Sequence, residues 1–230
     1  MKLKPLLAAV CVLAAGIGSA QVVPTKIYQG DAYSPNETTV AINPANVAEQ
    51  CAAANLNLVC WSKDTGKTWQ SQNLSSEFGF YGDPVLIADS SILYILHLSD
   101  PSGKNWGHPS FLDRIVVQYS RDFGATWSAG TGMGLSGEKD QDKPWGFIDP
   151  VSKNLLVTWT EFDKYGSEQE SDKSKILFSS FSLEKDTCTA PIVVSNKLGT
   201  CLDNDLATEG AIPVALNDGR ILVFWRRDNT

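Results

Sequence analysis

The sequence predicts an all-β chain built from consecutive four-stranded antiparallel blades, a β-propeller, and three observations carry that prediction. The pattern SxDxGxTW occurs twice, as SKDTGKTW at residues 62–69 and SRDFGATW at residues 120–127. A β-rich run precedes each copy, NLVCW before the first and RIVVQY before the second. An acid-led apolar strand, a turn and a second strongly apolar strand recur around Glu37, Asp83, Asp142 and Glu209.

Each unit therefore reads as an acid-led strand, a second strand, a third strand, a box turn and a fourth strand. The blades run over about residues 36–80, 81–139 and 140–205, and a fourth, incomplete one over 206–230. In the third, KILFSSFSLEKDTCTAP keeps Ser182 and Asp186 of the box but loses its Gly and Trp. About three and a half blades are present, so the chain reads as the N-terminal part of a longer propeller. The box suits a turn. Asp64 and Asp122 can accept hydrogen bonds from turn amides. Gly66 and Gly124 can take a positive φ, and Trp69 and Trp127 can plug the hairpin from below.

Residues 1–20, MKLKPLLAAVCVLAAGIGSA, have the form of a signal peptide: two lysines, an apolar stretch, then Gly18 and Ala20 before a cleavage site at Gln21. The mature chain would be residues 21–230, secreted or periplasmic. The apolar stretch is short of the ~20 residues that span a bilayer, and no other segment approaches that length. Val10 before Cys11 disfavours a lipoprotein site. Removing Cys11 with the leader leaves an even set in an exported protein, which reads as disulfides. The expected pairs are Cys51 with Cys60, across a hairpin, and Cys188 with Cys201 by elimination. No CxxC spacing supports a metal site, and His97 and His108 read as structural.

The net charge of −7 has the wrong sign for generic contact with a phosphate backbone, which argues against nucleic acid as a partner. Hydrophobic residues make up 43% of the chain, enough for a packed core and too many for a disordered one.

With both boxes complete, the chain resembles the Asp-box (BNR repeat) proteins, and in particular the sialidase superfamily of six-bladed β-propellers. The resemblance implies that Ser62, Asp64, Gly66, Trp69, Ser120, Asp122, Gly124 and Trp127 are structural and lie on the outer rim. It also implies a glycan or glycoconjugate as partner and, where the catalytic set is complete, a glycoside hydrolase releasing terminal sialic acid. That chemistry uses an arginine triad on the substrate carboxylate, a Tyr nucleophile activated by a Glu, and an acid/base Asp. EGAIPVALNDGRILVFWRR looks like the family's Glu and second-Arg pair, making Glu209 and Arg226 the catalytic candidates. Two features depart from the pattern. No Arg precedes Arg114, and residues 47–60 contain no Asp. These favour the alternative, a non-catalytic Asp-box propeller that binds carbohydrate or protein.

Independently of the resemblance, the leading residues of inner propeller strands converge on one mouth of the channel. Glu37, Asp83, Asp142 and Glu209, taken as equivalent in the repeat, are expected to form an acidic half-ring able to accept sugar hydroxyls. No cofactor is required, although such a ring can also hold Ca²⁺. Lys143 supplies a cation, and Trp145 and Trp106 are candidate sugar-stacking faces. Two carboxylates such as Asp83 and Glu209 would serve a neutral-glycan hydrolase. Trp159 and Trp225 occupy equivalent strand positions and read as core packed between blades.

Overall fold

A computed structural model describes residues 24–30, 35–202, 204 and 206–226. The expected signal peptide, with Cys11 and the expected cleavage site at Gln21, lies outside the described residues.

The chain is all-β and its sheets are meanders in sequence order. The first holds β1 (Thr39–Ile42), β2 (Gln50–Ala54), β3 (Leu58–Ser62) and β4 (Gln70–Asn73). The second holds β5 (Gly82–Ala88), β6 (Leu93–Leu98), β7 (Ile115–Ser120) and β8 (Thr131–Met133). In the third, β9 (Asp140–Ile148), β10 (Leu155–Phe162) and β11 (Lys173–Ser182) are followed by three short edge pieces. These are β12 (Thr187–Cys188), β13 (Ile192–Val193) and β14 (Gly199–Thr200). A final pair is β15 (Glu209–Ala215) and β16 (Ile221–Arg226).

All these pairings are antiparallel, and the first strands β1, β5, β9 and β15 pack side by side in that order. Three meanders and a two-stranded pair sharing a row of innermost strands are the blades of a propeller, the last of them represented by its two inner strands among the described residues. The third blade has six strands where the repeat predicts four. Its outer strand is broken, and β12, β13 and β14 pair in turn with residues 181–182, 177–178 and 173–174 of β11. Pro191 sits between the first two pieces. Proline has no N–H to give a ladder and is confined to such edges.

Burial explains why the second strands are continuous apolar runs. In β6, LYILHL, all six residues are buried because both faces of the blade are covered. Leu93 and Ile95 join Ala53, Val59 and Leu86 in the core between the first and second blades. Tyr94 and Leu96, on the opposite face, join Leu155, Val157, Trp159 and Phe181 in the core between the second and third. Inner strands approach closely: a Cβ added to Gly146 of β9 would lie 3.1 Å from Ile87 and Leu96. Outer strand β4, QSQN, is polar and largely exposed.

The two boxes share one core set of hydrogen bonds. Ser62 Oγ donates to Asp64 Oδ1 at 2.8 Å and accepts from Gly66 N at 2.9 Å, and Ser120 does the same with Asp122 and Gly124 at 2.8 Å each. Each Asp then accepts from the N–H and hydroxyl of a Thr four residues on, Thr68 or Thr126. Each indole N–H donates at 3.0 Å to its box glycine's carbonyl, Trp69 to Gly66 and Trp127 to Gly124. Both turns use two consecutive positive-φ residues, Thr65 with Gly66 and Phe123 with Gly124. These bonds hold the Asp64 carboxyl down at about 2.

The expected disulfides are not formed; Cys51, Cys60, Cys188 and Cys201 are free thiols. Register forbids both pairs. Cys51 stands opposite Trp61 and Cys60 opposite Ala52, so the two sulfurs lie on opposite faces of the sheet. Cys188 pairs with Phe181 at one end of β11, whereas Cys201 follows Thr200, which pairs with Lys173 at the other. That is roughly 25 Å of strand at ~3.3 Å per residue, against the ~4.4–6.8 Å between Cα atoms that a disulfide spans.

Candidate functional site

The inner strands share a local irregularity that builds the channel mouth. In β5 the register jumps between Gly82 and Val85, in β9 it jumps opposite Thr158 and Thr160, and in β15 between Glu209 and Ile212. Each jump is a bulge whose first inserted residue has positive φ: Asp83 at 48°, Lys143 at 51° and Gly210 at 69°. Glu37, at 47° just before β1, is the counterpart in the first blade. Glycine adopts this conformation freely. For Glu37, Asp83 and Lys143 it costs on the order of 1 kcal/mol each, strain that accumulates at sites where side-chain aim matters.

The bulges correct the expected acidic half-ring by one residue. Asp142 and Glu209 are equivalent to each other, to Gly82 and to Asn36; Glu37 and Asp83 are equivalent to Lys143 and Gly210. The bulge positions aim into one cavity of about 510 Å³, lined by Glu37, Asp83, Lys143 and Trp145 together with Thr39 and Ile212. Asp142 lies buried behind it at 4% exposure, and Glu209 lines an adjoining cavity of about 300 Å³.

Within the main cavity the charges are already partnered. Lys143 Nζ donates to Asp83 Oδ2 at 2.8 Å. Asn55, in the β2–β3 turn, donates from Nδ2 to Glu37 Oε2 at 2.6 Å and accepts the Asp83 N–H at Oδ1 at 2.8 Å. Glu37 and Asp83 share a hydrogen bond, which together with burial and the Asp83 charge pushes the Glu37 carboxyl up. Against the desolvation of its site, Asp83 is held below its ordinary value by Glu37 and Lys143. Of that pair, Glu37 therefore holds a proton more readily than Asp83.

Asp142 behaves differently. Burial pushes its carboxyl up to about 7; the Lys143 charge opposes this, and the Asp83 and Glu209 charges add to it. Its Oδ1 accepts the Lys143 N–H at 2.8 Å. A carboxyl balanced near neutrality beside an anion is a competent proton donor. Lys143 stays charged, since the hydrogen bond to Asp83 and the surrounding carboxylates outweigh its desolvation. Among the described residues, no group of three His, Cys, Asp or Glu side chains is set to hold a metal ion.

The indole of Trp145 is 46% exposed on the cavity wall. Glu209 and Arg226 stand opposite each other at the mouth end of the β15–β16 ladder. Trp159 is fully buried, its indole N–H donating to Gln141 Oε1 at 2.6 Å. His97 is buried, stacked on Phe80 at 3.8 Å, and its ring is pushed down to about 4 by burial, a packed histidine. Both boxes lie at the far ends of their blades. β7 runs from Ile115, paired with Leu98 at the mouth, to Ser120, and β3 likewise ends in Ser62. Sequence reasoning missed Asn55 and Tyr165. Tyr165 lines the smaller cavity, and the charges of Asp142, Glu209 and Asp83 add to burial in raising its phenol.

No protein-family model and no curated protein matches the chain. Among solved structures, the K499G mutant of NanB sialidase from Streptococcus pneumoniae is similar at 12% identity and TM-score 0.38, covering 78% of this chain and 25% of that one. The GH43 endo-arabinanase from Bacillus licheniformis is similar at 8% identity and TM-score 0.36, covering 83% and 93%. YCF48 bound to D1 peptide is similar at 12% identity and TM-score 0.29, covering 85% and 67%. This chain thus spans about a quarter of the sialidase chain. The propeller assignment rests on the strand order and register described above.

Proposed function

We propose that this is an exported propeller that binds the end of a glycan at its channel mouth, through hydrogen bonds from sugar hydroxyls to Asp83 and Glu37 and stacking on Trp145. The observation that carries this reading is the cavity of about 510 Å³, where strained bulges aim Glu37, Asp83 and Lys143 beside an exposed indole. Carboxylates that accept hydroxyls next to an aromatic face suit a sugar's polar edge and apolar face. Charge decides between sugar classes. Lys143 is already paired with Asp83, and Glu37, Asp142 and Glu209 add acidity around it, so a neutral sugar fits better than a carboxylate-bearing one.

Glycoside hydrolysis is the second reading, favoured by Asp142 as a buried acid near neutrality beside the Asp83 anion. Hydrolysis of terminal sialic acid would instead draw on Glu209 and Arg226.

A glycan array probed with the full chain, Trp145→Ala and Asp83→Asn tests the binding reading. Expected is capture of neutral-terminated glycans, weakened roughly tenfold or more by each substitution. Capture of sialylated glycans alone would overturn the charge argument, and capture of none the whole reading. A fluorogenic glycoside panel with Asp142→Asn as control decides on turnover.

A further inference from the structure

The longest connections at the mouth are the β6–β7 loop, residues 99–114, and the β10–β11 loop, residues 163–172. They come from different blades, yet their aromatic side chains meet. The Trp106 ring lies 5.3 Å from that of Tyr165 at 35°, and 4.6 Å from that of Phe111. Tyr165 stands edge-on to Phe162 at 5.2 Å, and Phe111 edge-on to Tyr81 at 4.4 Å. The inner rings Phe111 and Phe162 are 4% exposed, whereas Trp106 is 61% and Tyr165 40% exposed. Buried rings thus hold two exposed rings in place, and the largest apolar face on these loops is turned to water.

The loops are also fixed by their backbones. Asp100 accepts the Asn105 N–H at 3.1 Å and the Ser102 hydroxyl at 3.1 Å, and His108 N–H closes the short turn onto Asn105 O. The Tyr165 N–H donates to Asp140 Oδ2 at 2.7 Å. Trp106 is therefore presented on an ordered loop, and little conformational entropy remains to be lost when a ligand covers it.

Tyr165 forms one wall of the cavity of about 300 Å³, with Phe162, Leu202, Ala207 and one carboxylate, Glu209. That cavity adjoins the main one through consecutive residues: Glu209 faces the smaller, Gly210 the larger. Gly210 has no side chain to separate them, and its positive φ suits glycine. An aromatic platform beside a lone carboxylate repeats, on the other side of Gly210, the pairing of Trp145 with Asp83.

We propose that Trp106, Tyr165 and Glu209 form a second sugar subsite, so that the ligand is a chain of at least two sugar residues. One residue lies against Trp145 and Asp83, and the next stacks on Trp106 and Tyr165 with a hydroxyl donating to Glu209. This inference rests on the glycan reading above, and its test separates the two.

The experiment is calorimetric titration of the full chain with methyl glycosides of glucose, galactose, xylose and arabinose, and with the matching linear tetrasaccharides. Expected is at least one sugar whose tetrasaccharide binds tenfold or more tighter than its methyl glycoside. Trp106→Ala abolishes that advantage and leaves the methyl glycoside affinity unchanged, while Trp106→Phe keeps part of it. Glu209→Gln reduces the advantage in the same way. A tetrasaccharide no tighter than its methyl glycoside, or a Trp106→Ala effect equal on both probes or absent, overturns the subsite alone. Failure of every probe to bind the wild-type chain overturns the glycan reading and the subsite with it.

Discussion

Lys143 Nζ lies 2.8 Å from Asp83 Oδ2, and the two residues occupy the same position of equivalent bulges in neighbouring blades. The pair joins the inner strands of the second and third blades at the mouth. Against its desolvation, Asp83 is held below its ordinary value by Glu37 and then by the Lys143 cation, while the Asp83 hydrogen bond and burial push Glu37 above its own. Lys143→Met removes the cation and leaves Asp83 half-buried among Glu37 and Asp142. Its carboxyl is then expected to titrate above its ordinary value, as a raised midpoint in a carboxyl-carbon NMR titration. An unmoved Asp83 midpoint would mean that Asn55 and Glu37, rather than the cation, hold it down.

The buried Asp142 makes stability depend on pH in one direction. Its folded value of about 7 exceeds its unfolded one, so the folded state keeps a proton that the unfolded state has released. The stability this contributes is complete below about pH 4 and is lost as the pH rises toward and through 7. Asp142→Asn keeps the acceptor for the Lys143 N–H and has nothing to ionise. Melting temperatures taken from pH 4 to 8 should therefore fall more steeply for the wild type than for Asp142→Asn, and parallel curves would refute the assignment.

The blades were legible in the sequence because their signals are local. A box is a turn whose Ser, Asp, Gly, Thr and Trp bond to one another within eight residues, and a strand buried on both faces is a continuous apolar run such as LYILHL. The mouth was legible only to within one residue. Matching acid to acid equates Asp83 with Asp142, but the bulge places Asp83 with Lys143. Matching Pro84 to Pro144 would have shown this, since both follow the positive-φ residue. The meeting of Trp106 with Tyr165 across two blades leaves no periodic trace, because loop contacts have no repeat to announce them. The disulfide expectation failed on parity: strand positions 51 and 60 look opposed until the register puts them on opposite faces.

Ser120 is 1% exposed and its hydroxyl makes two bonds inside the second box, one donated to Asp122 and one accepted from Gly124. Ser120→Ala removes both and leaves a buried amide without its acceptor, at a cost of about 1–3 kcal/mol. A thermal melt should show a drop of several degrees. Because the box lies at the far end of the blade from the mouth, ligand affinity should not change. A change in affinity at unchanged stability would contradict the placement of the boxes.

The four cysteines among the described residues give the last prediction, on a question that the expectation of export had answered the other way. Burial raises the thiols of Cys51, Cys60, Cys188 and Cys201, with Cys188 pushed up to about 11, so little thiolate is present at neutral pH. The folded chain should react slowly with iodoacetamide, and after denaturation without reductant all four positions should be alkylated, as read by peptide mass spectrometry. A disulfide closing a short loop contributes about 2–4 kcal/mol, so a chain relying on such bridges would melt several degrees lower in dithiothreitol. Register places each candidate pair out of bonding reach, so the melting temperature should be the same with and without the reductant. A reductant-dependent fall would require Cys51 and Cys60, or Cys188 and Cys201, to share a face that the strand pairing denies them.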